Sequence, residues 1–443
     1  MRFHPIHRLA SMLAIVLTLA FAAPAQSASL LRDADLEYAL DRLAAPILRA
    51  AGLSPGRVKV LVVNDSSLNA FVVSNDAIFI HYGLINKLDT AAMLQGVIAH
   101  EAAHIANGHI TRRLTNLANT RTIAGLGLAL ALAAAASGSG EAAGGIALGT
   151  ASSAQRSFLS HTRAEEASAD QSGVRYMRSA GASPEGLLET LKVFEGQEAL
   201  SVGRQDPYLR SHPLSRDRVR AVAGYVASYG ALPPDATAEY WFARLKGKLT
   251  AYTRAPSWTL RRLGSERYAD VRLLREAIAH HRNSRTQKAL AAIDRAIAAR
   301  PDDPFLRDQK GQILLETRNF GAAINAYASA VQRAPNNPLL LSGLGRAQLA
   351  GGQVKNALQT LEKSRSADTR DSSMLRDLAT AYAKTGQTGM AALTTAERFA
   401  LQGRLKDAGI HAKRATGLLA TGSGPWQRAQ DVLIAAERAA KRK

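Results

Sequence analysis

The amino-acid sequence predicts a mostly α-helical N-terminal domain with a small antiparallel β-sheet, followed by an all-α solenoid. Two observations predict it. Between residues 58 and 80, three short runs rich in valine, isoleucine and phenylalanine are bounded by turn residues and flanked by segments of helical periodicity. From about residue 270 the chain repeats itself every 34 residues. The composition allows both parts. A chain of 443 residues can hold two or three cores, and with aromatics at only 5% beside abundant alanine it favours helices packed closely through small side chains.

The first residues read as a secretory signal. Arg2, His4, His7 and Arg8 make a basic start, Leu9 to Ala23 is an almost unbroken apolar run, and Ala23-Pro24-Ala25 or Ala25-Gln26-Ser27 offers a cleavage site. The domain expectation is a signal over 1–27, a catalytic unit over 28–265 and repeats over 266–443. The chain has no cysteine, so neither a disulfide nor a lipidated cysteine is available, which suits a bacterial periplasm. The net charge of +20 favours acidic partners such as anionic lipid, lipopolysaccharide or acidic proteins, or else is simply a solvated basic surface. Secretion argues against nucleic acid.

A helix is expected over residues 30–52, with Leu36, Leu40, Leu43, Ile47 and Leu48 on one face, ended by Gly52 and Pro55. Val58–Val63, Phe71–Val73 and Ala77–Ile80 read as three antiparallel strands. The next helix opens at Asp89 as N-cap, with Leu88 and Met93 as a hydrophobic staple, and its apolar pattern Met93, Leu94, Val97, Ile98, Ile105 runs on through His100-Glu101-Ala102-Ala103-His104. Residues 122–154 read as a Gly/Ala/Leu hairpin that is a lid, a membrane contact or plain core. A helix over 163–180 follows, and Ser183 then caps another that begins at Pro184. A polar loop runs over residues 200–216, and helical patterns resume at Arg216.

In the repeating part Ala289, Ala323 and Ala357 are 34 apart, as are Pro301 and Pro335, and Ala296 and Ala330. Gly311 and Gly345 fall at one position, Tyr327 and Leu361 at another. This is the tetratricopeptide pattern, in which helix pairs stack into a solenoid. A fourth unit starts near Ser372 with Tyr382, and its register is expected to slip around Thr388.

The chemistry lies in the His100–His104 helix. Two histidines four apart share a helix face, so both rings reach one ion, and Glu101 lies a quarter turn round, placed for water rather than for metal. The pattern supplies two neutral nitrogen ligands and a general base. With 11 histidines in the chain, a chance match to this five-residue motif is expected roughly 0.01 times. A catalytic zinc takes a third protein ligand. Glu166 and Asp170 share a face of the 163–180 helix, so Glu166 could bind the ion while Asp170 accepts a hydrogen bond from a ligating imidazole. His109 reads as a helix-surface residue or as a support for a ligand, and no role falls to His81, His161, His280, His281 or His411.

HEAAH, the Glu166-to-Asp170 stretch and the repeats together resemble the periplasmic BepA-like zinc metalloproteases, within the wider family of HtpX and the membrane-bound CAAX prenyl protease. Asn69-Ala70-Phe71 looks like that family's Asn-Ala-Phe strand, Gly83-Leu84-Ile85 like the segment before its catalytic helix, and Ser211-His212-Pro213 with Arg216 and Arg218 like its Ser-His-Pro element. Ala102-Ala103 departs from the bulkier residue and glycine of many relatives and leaves the ligand spacing intact.

The resemblance implies a zincin-type domain with one zinc per chain, held by His100, His104 and Glu166, and Glu101 as the base. It implies that Asn69, Ala70 and Phe71 pair with an extended substrate. It leaves His212 as a transition-state stabiliser, a fourth zinc ligand or a plain loop histidine, with Arg218 in support. It also implies misassembled outer-membrane proteins as substrates, docking to the β-barrel assembly machinery through the repeats, and peripheral contact with the outer membrane. The rival reading is a chaperone or assembly scaffold with a mostly latent protease site.

Overall fold

The computed structural model of the chain describes residues 30–113, 162–197, 200, 204–230 and 232–440. The signal segment and the 122–154 hairpin lie outside them. The chain enters through a two-residue strand, β1 (Leu30–Leu31), so the helix expected from residue 30 begins only at Ala34. This helix, α1 (Ala34–Ala50), is capped by Asp33, whose carboxylate accepts from the Asp35 and Leu36 amides, and it buries the predicted leucine face.

Three more strands follow, β2 (Lys59–Val63), β3 (Ala70–Ser74) and β4 (Ala77–His81). The sheet order is β1-β2-β4-β3, and β2 pairs with β4 in parallel, Val60 opposite Ile78 and Val62 opposite Ile80. The sheet is therefore mixed, which corrects the antiparallel expectation. The turn at Asn75-Asp76 makes β3 and β4 an antiparallel hairpin, and the connection 64–69 carries the chain past the β4 position, so the hairpin docks with β4 inward and β3 at the edge. Val60, Val62, Val72, Ile78 and Ile80 face the helices, and Leu61, Val63, Phe71, Val73 and Phe79 form a separate cluster on the other face.

After a short helix, α2 (Tyr82–Lys87), comes the HEAAH helix, α3 (Ala91–Ala106). Its cap is Thr90, one residue beyond the expected Asp89: the Thr90 hydroxyl accepts from the Met93 amide at 3.3 Å. The Met93 sulfur accepts from the Asp89 amide, and Leu88 and Met93 both lie in the main core. Against α3 lie α4 (Arg163–Ser179), opened by a capping box of Thr162 and Glu165, and α5 (Glu185–Val193), for which Pro184 and not Ser183 is the cap residue. Gly186 sits so close to the Ala92 backbone that any Cβ there would overlap it. The domain continues through α6 (Pro207–Ser211), α7 (Arg216–Tyr229), α8 (Ala236–Thr253) and α9 (Pro256–Arg261).

Ten helices follow, α10 (Ala269–Arg282), α11 (Thr286–Ala299), α12 (Pro304–Glu316), α13 (Phe320–Arg333), α14 (Pro338–Ala350), α15 (Val354–Ala367), α16 (Ser372–Lys384), α17 (Thr388–Leu401), α18 (Leu405–Leu418) and α19 (Gly424–Ala440). The second helices of four successive pairs start at Thr286, Phe320, Val354 and Thr388, so the repeat holds through Thr388, where a slip was expected, and breaks only afterwards. The register has a packing cause: the Tyr327 ring fills the space left by Gly311 and Gly343, and Leu361 that left by Gly345.

Buried charges tie the repeats to the N-terminal domain. Arg244 of α8 bonds Asp35 at 2.7 Å and Asp303, the cap of α12, at 2.5 Å. Lys248 reaches Asp33 at 2.8 Å, and Arg32 bridges Glu37 and Asp368. No helix among the described residues is long and apolar enough to cross a membrane.

Candidate active site

Four side chains from three elements converge. His100 and His104 come from α3, Glu166 from α4, and His212 from the end of the α6 turn. One donor atom of each lies within 4.8 Å of all the others, and all four residues are buried. His104 Nε2 is 3.1 Å from His100 Nε2, His100 Nε2 is 3.2 Å from His212 Nδ1, and His212 Nδ1 is 3.0 Å from Glu166 Oε1.

The outer nitrogen of each ring has its own neighbour outside the cluster. His100 Nδ1 lies 3.0 Å from Asp170 Oδ1. His212 Nε2 donates to the Ala70 carbonyl at 3.2 Å. His104 Nδ1 faces His109 Nδ1 at 2.8 Å. With neutral rings that donate outward, the inner nitrogens of His100, His104 and His212 present lone pairs to the centre of the cluster. Three lone pairs and a carboxylate oxygen aimed at one point repel each other unless a cation lies between them, so the donor set fits a metal ion of the zinc class.

The electrostatics agree. Burial opposes ionisation of Glu166, but His212, His100 and Arg218 outweigh it and hold its carboxyl well below the usual range. Burial disfavours charge on His100, yet Glu166 and Asp170 raise its pKa to about 10, so the site demands positive charge. Arg218, nearly buried in α7, donates to both Asp170 oxygens at 2.7 and 2.9 Å and lies 2.7 Å from Glu166 Oε2. It locks the two acids of α4 in place. Arg216, from the same stretch, is exposed and takes no part.

Glu101 is fully buried beside the cluster, with Oε1 3.3 Å from His212 Nε2. Burial raises its carboxyl above the ordinary range, against the pull of His212 and His100. That suits a group which must accept a proton near neutral pH and give it up again.

The expected substrate segment resolves into three different placements. Ala70 opens the edge strand β3, and because the Asn69 carbonyl pairs inward with the His81 amide, the Ala70 carbonyl points out along the free edge. Asn69 precedes the strand, and its side chain accepts from the Ser211 hydroxyl at 3.4 Å, joining the edge to the His212 turn. The Phe71 ring stacks on Phe79 on the far sheet face. His81 packs against Phe71 and bonds Ser67, outside the cluster. Sequence reasoning missed Tyr208, whose ring stacks on His212 at 4.6 Å, and left His109 undecided; four-residue spacing from His212 on a short turn was the available signal for the tyrosine.

Residues 30–226 match the model of peptidase family M48, and residues 314–382 match a tetratricopeptide-repeat model. The N-terminal part of the chain is thus similar to the M48 metallopeptidases, and a helical repeat region follows it. The chain is similar to the beta-barrel assembly-enhancing protease of Escherichia coli (strain K12), 23% identical over 392 residues, or 86% of this chain and 79% of that protein. It is also similar to the metalloprotease LoiP of the same organism, 29% identical over 183 residues, 40% of this chain and 65% of LoiP. A solved structure of MamA from Desulfovibrio magneticus RS-1 overlaps 36% of this chain and 93% of its own, with 19% identity and a TM-score of 0.32.

Proposed function

We propose that the chain is a zinc-dependent endopeptidase of the periplasm that cleaves misassembled outer-membrane proteins. The single observation that carries the reading is the convergence of His100, His104 and Glu166 beside the buried carboxylate of Glu101. Residues 28–265 act as the peptidase unit and 266–443 as the docking unit, toward the β-barrel assembly machinery; the likeness to a beta-barrel assembly-enhancing protease supports that assignment.

His100, His104 and Glu166 would hold the ion. When bound, zinc polarises the scissile carbonyl and makes water a nucleophile at neutral pH. Glu101 takes the proton from the attacking water and delivers it to the leaving amine. Asp170 and Arg218 keep His100 and Glu166 in position. The free edge of β3 takes the substrate as an added strand, with Ala70 supplying a main-chain acceptor.

His212 would supply the fourth ligand of a resting state. Its Nδ1 belongs to the donor cluster, and its Nε2 occupies the Ala70 carbonyl that a substrate strand would use. A guarded site of this kind fits an enzyme that works among unfolded but salvageable proteins. The scaffold reading keeps one support, the size of the repeat region, and is separated from the enzymatic one by Glu101→Gln. That variant should keep its zinc and lose cleavage of an unfolded barrel protein; persistent cleavage would remove Glu101 as the base.

A further inference from the structure

Tyr208 lies in the α6 turn, nearly wholly buried, and its ring is held between Phe194 at 4.7 Å and His212 at 4.6 Å, close to parallel with both. Its backbone is tied on two sides. The Tyr208 amide donates to the Leu68 carbonyl just ahead of the β3 edge, and its carbonyl accepts from the His212 amide at 2.7 Å. The residue therefore bridges the substrate edge and the metal cluster.

Among the described residues, no group makes a hydrogen bond to the hydroxyl at the end of this ring. A buried hydroxyl without a partner costs about 1–3 kcal/mol, so proteins seldom keep one without a use. Phenylalanine would fill the same slot between Phe194 and His212 without that cost. A tyrosine O–H is a hydrogen-bond donor at neutral pH.

The water that Glu101 deprotonates attacks the carbonyl carbon, so the reacting carbonyl must lie close to Glu101. The substrate's route to that place is the corner and the edge acceptor that His212 occupies, directly over the Tyr208 ring. We propose that Tyr208 is a catalytic residue, whose hydroxyl donates a hydrogen bond to the scissile carbonyl oxygen as that oxygen gains negative charge. This rests on the peptidase reading above and adds to it a donor whose effect is confined to the transition state.

The test is Tyr208→Phe in the full mature chain, which keeps the ring stack and deletes only the oxygen. With casein as the unfolded substrate, kcat should fall roughly 100-fold, the size of effect seen when one oxyanion donor is removed, while KM stays within about twofold. Affinity for a phosphinic peptide, whose tetrahedral oxygens mimic the charged carbonyl, should fall by a similar factor in calorimetry. Zinc content should match that of the parent protein, and the melting temperature should equal or exceed it, since the unpartnered buried hydroxyl is removed. An unchanged kcat would overturn the proposal, as would a variant that loses zinc or melts early, because the hydroxyl would then serve structure alone. A parent protein that neither holds zinc nor binds the phosphinic peptide would overturn the peptidase reading itself, and this proposal with it.

Discussion

His212 donates from Nε2 to the main-chain carbonyl of Ala70 at 3.2 Å and turns its Nδ1 toward Glu166 Oε1, 3.0 Å away. One imidazole thus holds a corner of the donor cluster and the first outward acceptor of the edge strand together. A substrate that pairs with the edge has to displace both contacts.

His212→Ala should therefore raise the activity of the enzyme. Losing one ligand contact and one hydrogen bond that compete with substrate is worth about 1 kcal/mol, or about a five- to tenfold gain in kcat/KM. Steady-state cleavage of an unfolded protein measures it. A dead variant would move His212 from the resting state into the chemistry.

Asp170 orients His100 from outside the cluster and is itself held by two bonds from Arg218. Asp170→Asn keeps the shape but weakens the acceptor. Zinc affinity should fall about 10- to 100-fold, the usual effect of losing a carboxylate behind a ligating imidazole, read by competition with a chromophoric chelator. Unchanged affinity would mean that Arg218 and α4 hold the geometry unaided.

These contacts show what was legible in the sequence. The HEAAH spacing fixes two donors on one helix face, and the Glu166–Asp170 spacing puts an acid and its neighbour on another, since both follow from helical geometry alone. The 34-residue period was equally plain because each repeat packs the same way, Tyr327 against Gly311 and Gly343. The parallel β2–β4 pairing was not legible: strand partners are chosen in three dimensions, and nothing in residues 64–69 says that the chain passes beyond β4. Tyr208 escaped notice because its importance comes from what its hydroxyl fails to touch. Arg244, Asp35 and Asp303, far apart in sequence, look like ordinary surface charges until the fold brings them together.

Arg244 neutralises that buried acidic cluster between the α1 start and the α12 cap. Arg244→Met leaves Asp35 and Asp303 without their cation, and should cost ~3–5 kcal/mol in denaturant unfolding. Limited proteolysis should cut between the peptidase and repeat regions sooner than in the parent. A variant as stable and as protease-resistant as the parent would mean that the apolar contacts, such as Ala34 on Phe305, carry the junction.

Gly186 lets α5 cross α3 at the Ala92 backbone. Gly186→Ala forces the helix of His100 and His104 away from its neighbour and should lower stability by ~3 kcal/mol. Chemical denaturation with zinc analysis on the folded fraction checks it; a neutral substitution would show that the crossing can widen freely.

The most direct test of the whole account is the zinc-to-protein ratio of the purified mature chain, measured by mass spectrometry of the metal. The account predicts one zinc per chain, lost on chelation together with cleavage and regained with it. A chain that binds no zinc, and gains no activity when zinc is added, would contradict it.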